Sequence, residues 1–326
     1  MARLGEFEFI ARLLAPLARN APAAYGLADD AAALAPAPGC EFVVTKDAVV
    51  AGVHFLPDDP PDLIARKALR VNLSDLAAKG ATPVGFFMAL MLPDAVDDAW
   101  LARFVAGLGH DVDLYACPLL GGDTTATPGP LCISITAVGE VRAGFMVRRA
   151  GALPGDLVCV TGTIGDAALG VDALKGAFPG LAADARAFLI DRYRLPQPRV
   201  AFGRTEAGRE TACIDISDGL CADVGHICTQ SGVGVEIEET RVPLSPAARA
   251  ALALAPGAMA RVLTGGDDYE LAFAVPPANL AATLGHGRKV GVDVTVIGRF
   301  VAGAGVSVLD GHGRPIALSS LGYRHR

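Results

Sequence analysis

The sequence predicts a mixed α/β protein of the α+β kind, divided into two domains. Three observations carry that expectation. The chain has 326 residues, and at roughly 100–200 residues per domain two is the natural number. Half of it, 52%, is hydrophobic, enough apolar material for two cores. Strand and helix patterns alternate throughout, but Pro- and Gly-rich turns interrupt them too often for a clean doubly wound order.

The elements follow in chain order. Residues 4–19 read as an amphipathic helix. EFVVTKDAVV (41–50) reads as a strand. PDLIARKALRVNLSDLAAK (61–79) reads as a helix that Pro60 and Pro61 open and Gly80 closes. FFMALML (86–92) is a buried strand, and 97–115 a helix with Asp97 near its start. PLLGG and LCISITAVGEV are further strands. The stretch 142–156, RAGFMVRRAGALPGD, sets Gly, Pro and charge between two apolar strand patterns, so the boundary is placed there, giving domains 1–148 and 149–326. The second half opens on strand LVCVTG and a glycine turn into helix 166–176. Helix 183–194, strand ACIDIS, helix 219–230, the segment GGDDYELAF and strand VTVIGRF follow.

The formal net charge is −7. No basic run is interleaved with aromatics, which argues against nucleic acid as a partner. The basic residues are mostly Arg; phosphate clamping and the codon bias of a GC-rich genome both account for that. Seven Cys form no C-x-x-C and several sit in apolar runs, the usage of reduced core thiols rather than of disulfides or zinc ligands. Glu6, Glu8, Arg12 and Arg19 break the first apolar stretch, which is unlike a signal peptide. No apolar run reaches the ~18–20 residues of a membrane span. A cytoplasmic protein without membrane contact is expected.

The chemistry lies in a scatter of carboxylates. Asp29 and Asp30 stand among small apolar neighbours in GLADDAA. Asp47 lies inside an apolar strand, where alternation puts Thr45 and Asp47 on one face, opposite Val44; two oxygen ligands side by side suit a hard cation. Ile64, Ala68, Val71 and Ala78 form a helical stripe, and Asp75 falls within it, so its carboxylate must be paired, hydrogen-bonded or metal-bound. Asp123 ends a strand after Gly121 and Gly122, whose backbone allows close approach to an anion. In ACIDISDGL, Cys213, Asp215 and Ser217 share a strand face, and Asp218 is placed to cap the next helix. Asp267 and Asp268 follow two glycines at the start of a strand. Each site taken singly also reads as a turn or cap residue. Together they suggest a multi-metal site, and a negative protein binds polyphosphate when cations bridge the two. No P-loop, dinucleotide fingerprint or protein-kinase set is present. The glycine turn Gly162–Gly165 in VTGTIGD is a further candidate phosphate cradle.

Taken in order, GEFEFI, GLADDAA, TKDAVVAGVHF, NLSDLAAKGATP, LLGGDTT, RRAGALPGD, VTGTIGDAALG, PQPRV, DISDGL, GGDDYEL and a terminal GYRH resemble the thiamine-monophosphate kinase family across essentially the whole chain. That family belongs with aminoimidazole ribonucleotide synthetase and selenophosphate synthetase. The resemblance implies two α+β domains, an N-terminal one that binds metal and substrate and pairs two chains into a homodimer, and a C-terminal one that completes an interdomain ATP site. It implies ATP-dependent phosphorylation of thiamine monophosphate to thiamine diphosphate, with several Mg²⁺ ions as cofactor and ATP as co-substrate. By motif, Asp30, Thr45, Asp47, Asp75, Asp123, Asp215 and Asp218 correspond to magnesium ligands. Tyr115, Gly121, Gly122, Arg149 and Ser217 correspond to ATP contacts, and His54, Asp267 and Tyr323 to contacts with thiamine monophosphate. Two departures stand out: Asp267 replaces the family's usual Glu, and the chain ends GYRHR without an aromatic after His. The alternatives are a sister ATP-dependent enzyme of the aminoimidazole ribonucleotide synthetase kind, revealed by ADP release with its amine or amidine substrate, and a non-catalytic Mg-nucleotide binding protein, which would bind ATP but release no ADP with any acceptor.

Overall fold

A computed structural model describes residues 4–203 and 210–323. Arg324 and His325 of the terminal motif lie outside the described residues. The chain divides into two compact units. The first holds the chain up to Leu76 together with Ala81–Phe145; the second holds Ala77–Gly80 and the chain from Met146 onward. The mixed α/β architecture expected from sequence is the one observed.

In the first unit the chain winds through α1 (Glu6–Phe9), then a π-turn and a 3₁₀ turn to Ala18. The single amphipathic helix expected over 4–19 thus changes pitch. Pro16 has no N–H to donate, and the tighter turn Ala15–Ala18 begins around it. Strand β1 (Cys40–Val50), helix α2 (Pro61–Ala78), strand β2 (Thr82–Leu92), helix α3 (Asp98–Tyr115) and strands β3 (Leu119–Ala126) and β4 (Cys132–Arg142) follow. The sheet order is β1-β4-β2-β3. Only β2 and β3 pair in parallel, and a parallel pair needs a long crossover, which α3 supplies. Asp97 caps α3, accepting from Trp100 N–H at 2.8 Å. Helices α2 and α3 are locked by a buried ion cluster: Arg70 donates to Asp111 from Nε at 2.6 Å and Nη2 at 3.0 Å, and Arg66 Nε adds a third donor at 3.0 Å. Removing one partner of such a pair costs about 3–5 kcal/mol, because the other is left charged and buried.

The second unit runs β5 (Leu157–Thr161), α4 (Asp166–Leu174), α5 (Ala183–Arg194), α6 (Val200–Gly203), β6 (Ala212–Asp215), α7 (Leu220–Ser231), β7 (Gly234–Glu238), α8 (Pro246–Leu254), α9 (Met259–Thr264), β8 (Leu271–Val275), α10 (Leu280–Val290), β9 (Val294–Val301) and β10 (Gly305–Leu309). Its six-stranded sheet has the order β10-β7-β9-β5-β8-β6. Val158 and Val160 of β5, Ile214 of β6, Ile237 of β7 and Ile297 of β9 pack with Leu220, Val224 and Ile227 of α7 in one apolar core. Lys79 joins this unit, donating from Nζ to the Cys213 carbonyl at 3.0 Å. All seven cysteines are free thiols and five are buried. Among the described residues no helix is long and apolar enough to cross a membrane.

Gly122 shows how tightly the parallel pair is set. It stands opposite Met88, and a Cβ at Gly122 would overlap the Met88 carbonyl oxygen. Backbone cannot yield as a side chain can, so overpacking here falls at the costly end of its range. Gly122→Ala should therefore lower the urea-unfolding free energy by about 2–3 kcal/mol. A change below about 0.5 kcal/mol would mean that the strands slide apart freely at this point.

Candidate functional site

The first unit gathers its candidates in two places. Along β1 the alternation puts Val43, Thr45, Asp47 and Val49 on the face turned to α2, while Val44, Lys46 and Ala48 are exposed. Helix α2 meets that face with polar groups. Asn72 Oδ1 accepts from the Asp47 N–H at 3.1 Å, while Asn72 Nδ2 donates to the Ala68 carbonyl at 3.0 Å. Thr45 Oγ1 donates to the Asp75 carboxylate. Asp75 thus comes from the buried stripe to a hydroxyl partner, beside a second carboxylate. Burial first, and the charge of Asp75 second, push Asp47 up to about 6, and no basic group offsets either cause. Asn72, which fixes the backbone at Asp47, was not singled out by sequence; its signal is a polar residue on a fully buried position of a helix.

His54 lies in the turn after β1, where its Nδ1 accepts from the Val50 N–H at 3.1 Å. The neutral ring therefore carries its proton on Nε2. At the end of α3 the Arg70 guanidinium lies 5.4 Å from the Tyr115 ring centroid, so the Arg70–Asp111 cluster also steadies Tyr115.

The second place is a cavity of about 550 Å³ beside the edge strand β3. Gly121, Gly122, Asp123 and Thr124 form one wall, Asp29 and Asp30 another, and Phe7, Ile10, Leu14, Leu27 and Phe87 supply an apolar lining. Asp30 and Asp123 are thereby brought to one cavity, with Gly121 and Gly122 beside Asp123 in its lining.

In the second unit Asp215 ends β6 and is buried. The turn beyond it departs from the sequence reading. Asp218 does not cap α7: Gly219 holds the N-cap position and no side chain caps the helix there. Instead Asp223, in the first turn of α7, reaches back and accepts from the N–H groups of Ser217, Asp218 and Gly219, each at 3.0 Å. A carboxylate already holding the turn leaves the Asp218 side chain without capping work. Burial, with Asp218's charge adding to it, pushes Asp223 up to about 7 against these donors. Asp267, at φ 74°, donates its N–H to the Ser217 carbonyl at 2.9 Å, and Tyr323 donates its N–H to the Asp218 carbonyl at 2.9 Å. Ser217, Asp218, Asp267 and Tyr323 are thus neighbours. Arg149 stands exposed, its carbonyl accepting from Ser231 Oγ at 3.5 Å.

Asp267 and Asp268 precede β8 in an irregular segment rather than starting the strand. Asp268 accepts from Gly165 N–H at 2.7 Å and Ala167 N–H at 3.3 Å. The start of α4, a candidate phosphate cradle by sequence, thus receives an internal carboxylate. Burial raises Asp268 well above the usual carboxylate range. Glu270 is clamped by Arg199, with Nε at 2.5 Å, and accepts from Thr161 Oγ1 at 2.6 Å. The motifs VTGTIGD, PQPRV and GGDDYEL therefore meet in one buried network, which no single motif announces.

Among the described residues no three His, Cys, Asp or Glu side chains converge to hold a metal ion by themselves. The donor set at Thr45, Asp47 and Asp75 nevertheless fits a hard cation: oxygens only, with two carboxylates whose charges no basic group offsets at Asp47 among the described residues.

The domain family described as AIR synthase related protein matches this chain twice, its N-terminal domain over residues 28–141 and its C-terminal domain over 154–311. The thiamine-monophosphate kinase of Caulobacter vibrioides is 46% identical over 323 residues, 98% of this chain and 90% of that one. The crystal structure of thiamine-monophosphate kinase from Stenotrophomonas maltophilia K279a is similar at a TM-score of 0.81 and 37% identity, covering 89% of this chain and 91% of that one. AaThiL complexed with AMPPCP and TMP is similar at 0.79 and 29% identity, covering 100% and 99%.

The position of Asp47 sets a pH-dependent stability. Its folded value of about 6 exceeds the ordinary 3.8. Between these values the native state keeps a proton that the unfolded chain has released, so stability falls as pH rises through that window and stays lower above it. The loss is roughly 1–3 kcal/mol. In EDTA at pH 8, Asp47→Asn should raise the thermal midpoint, and at pH 3.5 the difference should vanish. A variant no more stable than the parent at pH 8 would rule out an unrelieved charge at Asp47.

Proposed function

The chain belongs to the thiamine-monophosphate kinase family and is a phosphotransferase of that kind, and from this premise we propose that it moves the γ-phosphoryl group of ATP onto the phosphate of thiamine monophosphate. The observation that carries the reading is identity sustained over 98% of the chain, joined to a cavity suited to a nucleotide. The apolar lining around Phe7, Leu14 and Phe87 takes a base; Gly121, Gly122 and Asp123 lie along the polar wall for the phosphates. AaThiL was solved with AMPPCP and TMP, and both ligands match the two substrates proposed for this chain.

Thr45, Asp47 and Asp75, with Asp30 and Asp123, are the first unit's proposed magnesium ligands; Asp215 and Asp218 are those of the second. Magnesium supplies charge neutralisation between phosphate groups when bound. Tyr115, Arg149 and Ser217 are the remaining proposed ATP contacts. His54, with its proton on Nε2, is the proposed donor to the acceptor phosphate rather than a base. Asp267 and Tyr323 are the remaining proposed thiamine contacts. No general base is required: the acceptor's second pKa is near ~6, so its oxygen is already anionic at neutral pH. Positioning and charge complementarity then carry direct in-line transfer. The exposed alternate residues Val44, Lys46 and Ala48 of edge strand β1 support a homodimer formed through that sheet. A cytoplasmic location accords with the free thiols.

Two measurements test this reading. Coupled ADP release should appear with thiamine monophosphate and not with thiamine or aminoimidazole precursors, vanish in EDTA and return with excess Mg²⁺; full turnover after exhaustive chelation would defeat the metal assignment. A chiral γ-phosphate should emerge inverted in the product. Retention, or a stoichiometric protein-bound label that chases into thiamine diphosphate, would replace direct transfer with a phosphoenzyme.

A further inference from the structure

We infer that Asp223 is a positioning residue for the loop Ser217–Gly219, the loop to which the preceding section assigns an ATP contact and a metal ligand; the functional side of this inference rests on that reading. Three consecutive peptide N–H groups, those of Ser217, Asp218 and Gly219, converge at 3.0 Å on the single oxygen Oδ2 of Asp223. Successive N–H groups curled around one point form an anion-binding concavity. Here the acceptor is a carboxyl oxygen of the chain itself, delivered from the first turn of α7, and only 2% of Asp223 is exposed.

The rest of the loop's backbone is satisfied by other segments. The Ile216 N–H donates to the Glu270 carbonyl and the Ile216 carbonyl accepts from Tyr269 N–H, both at 2.8 Å. The Ser217 and Asp218 carbonyls accept from Asp267 and Tyr323, and the Gly219 carbonyl accepts from the Asp223 N–H at 3.0 Å. Carbonyls are thus held by three separate backbone segments, whereas the three N–H groups converge on one side chain. Gly219 completes the curl at φ 125°, where a Cβ would also collide with the Thr264 backbone. A simple helix cap holds N–H groups inside the first turn; these donors precede α7. Asp223 therefore fixes the Cα positions from which the Ser217 and Asp218 side chains project, without itself touching a reacting atom.

An asparagine keeps the shape of Asp223 but offers a neutral oxygen and an NH₂ group that cannot accept. Hydrogen exchange on the ligand-free protein gives the direct test. In Asp223→Asn the amides of 216–219 should exchange at least tenfold faster, while those of β5 keep the parent rate. In steady state kcat should fall at least tenfold while KM for thiamine monophosphate moves less than threefold. A second variant guards against misfolding: in Asp223→Ala, added formate should occupy the vacated oxygen site, slow exchange at 216–219 and recover part of kcat. Parent-like exchange at 216–219 with kcat within twofold in Asp223→Asn would overturn the inference. So would faster exchange spread evenly over the chain, or formate that leaves exchange in Asp223→Ala untouched. The exchange arm uses no substrate, so a parent enzyme inactive on thiamine monophosphate would sink the functional reading separately.

Discussion

Taking a carboxylate out of water costs several kcal/mol unless donors or a cation replace the lost solvent, and both units are organised around that requirement. In the second unit the answer is backbone N–H groups: three for Asp223 and two for Asp268, with Arg199 serving Glu270. These carboxylates bind separate loops to helix starts and strand ends, and so hold the irregular segments on which the candidate residues sit. In the first unit Asp47 and Asp75 share a strand–helix seam with one hydroxyl and no basic offset. The contrast separates carboxylates that several donors of the chain hold from a pair that shares one hydroxyl donor.

That division also explains the glycines. Gly122 allows β3 to approach the Met88 carbonyl, and Gly219 allows the turn into α7. At both positions backbone geometry would select glycine whether or not a phosphate ever came near. Both nevertheless fall beside candidate binding residues: Gly122 on an exposed strand edge next to Asp123, and Gly219 buried in the turn next to Asp218.

Much of the first unit was legible in the sequence. The period of two in 41–50 placed Thr45 and Asp47 opposite Val44, and the helical stripe through Ile64, Ala68 and Val71 brought Asp75 toward the seam. Asp97 announced its helix by ordinary capping chemistry. Asp218 misled because the same signal, Asp before a helix, was outcompeted by Asp223 five residues later, an interaction visible only once the turn is built. The network of Glu270, Arg199 and Thr161 joins residues 71 and 109 positions apart, beyond the reach of local periodicity. The cavity beside β3 depends likewise on the N-terminal turns folding over a distant strand edge; the sequence marked Asp30, Gly121, Gly122 and Asp123 one by one, but not that they would share it.

The inclusion of Ala77–Gly80 in the second unit bears on how the chain is made. Lys79 donates to a carbonyl that lies 134 residues further along. At ribosomal speeds of about 5–20 residues per second, that acceptor emerges roughly 7–27 seconds after Lys79 does. Throughout this interval the last turn of α2 is already synthesised but its final neighbours are not. Vectorial synthesis thus finishes the chain of the first unit, through Phe145, before Lys79 can meet its acceptor, so the last turn of α2 takes up this contact only afterwards.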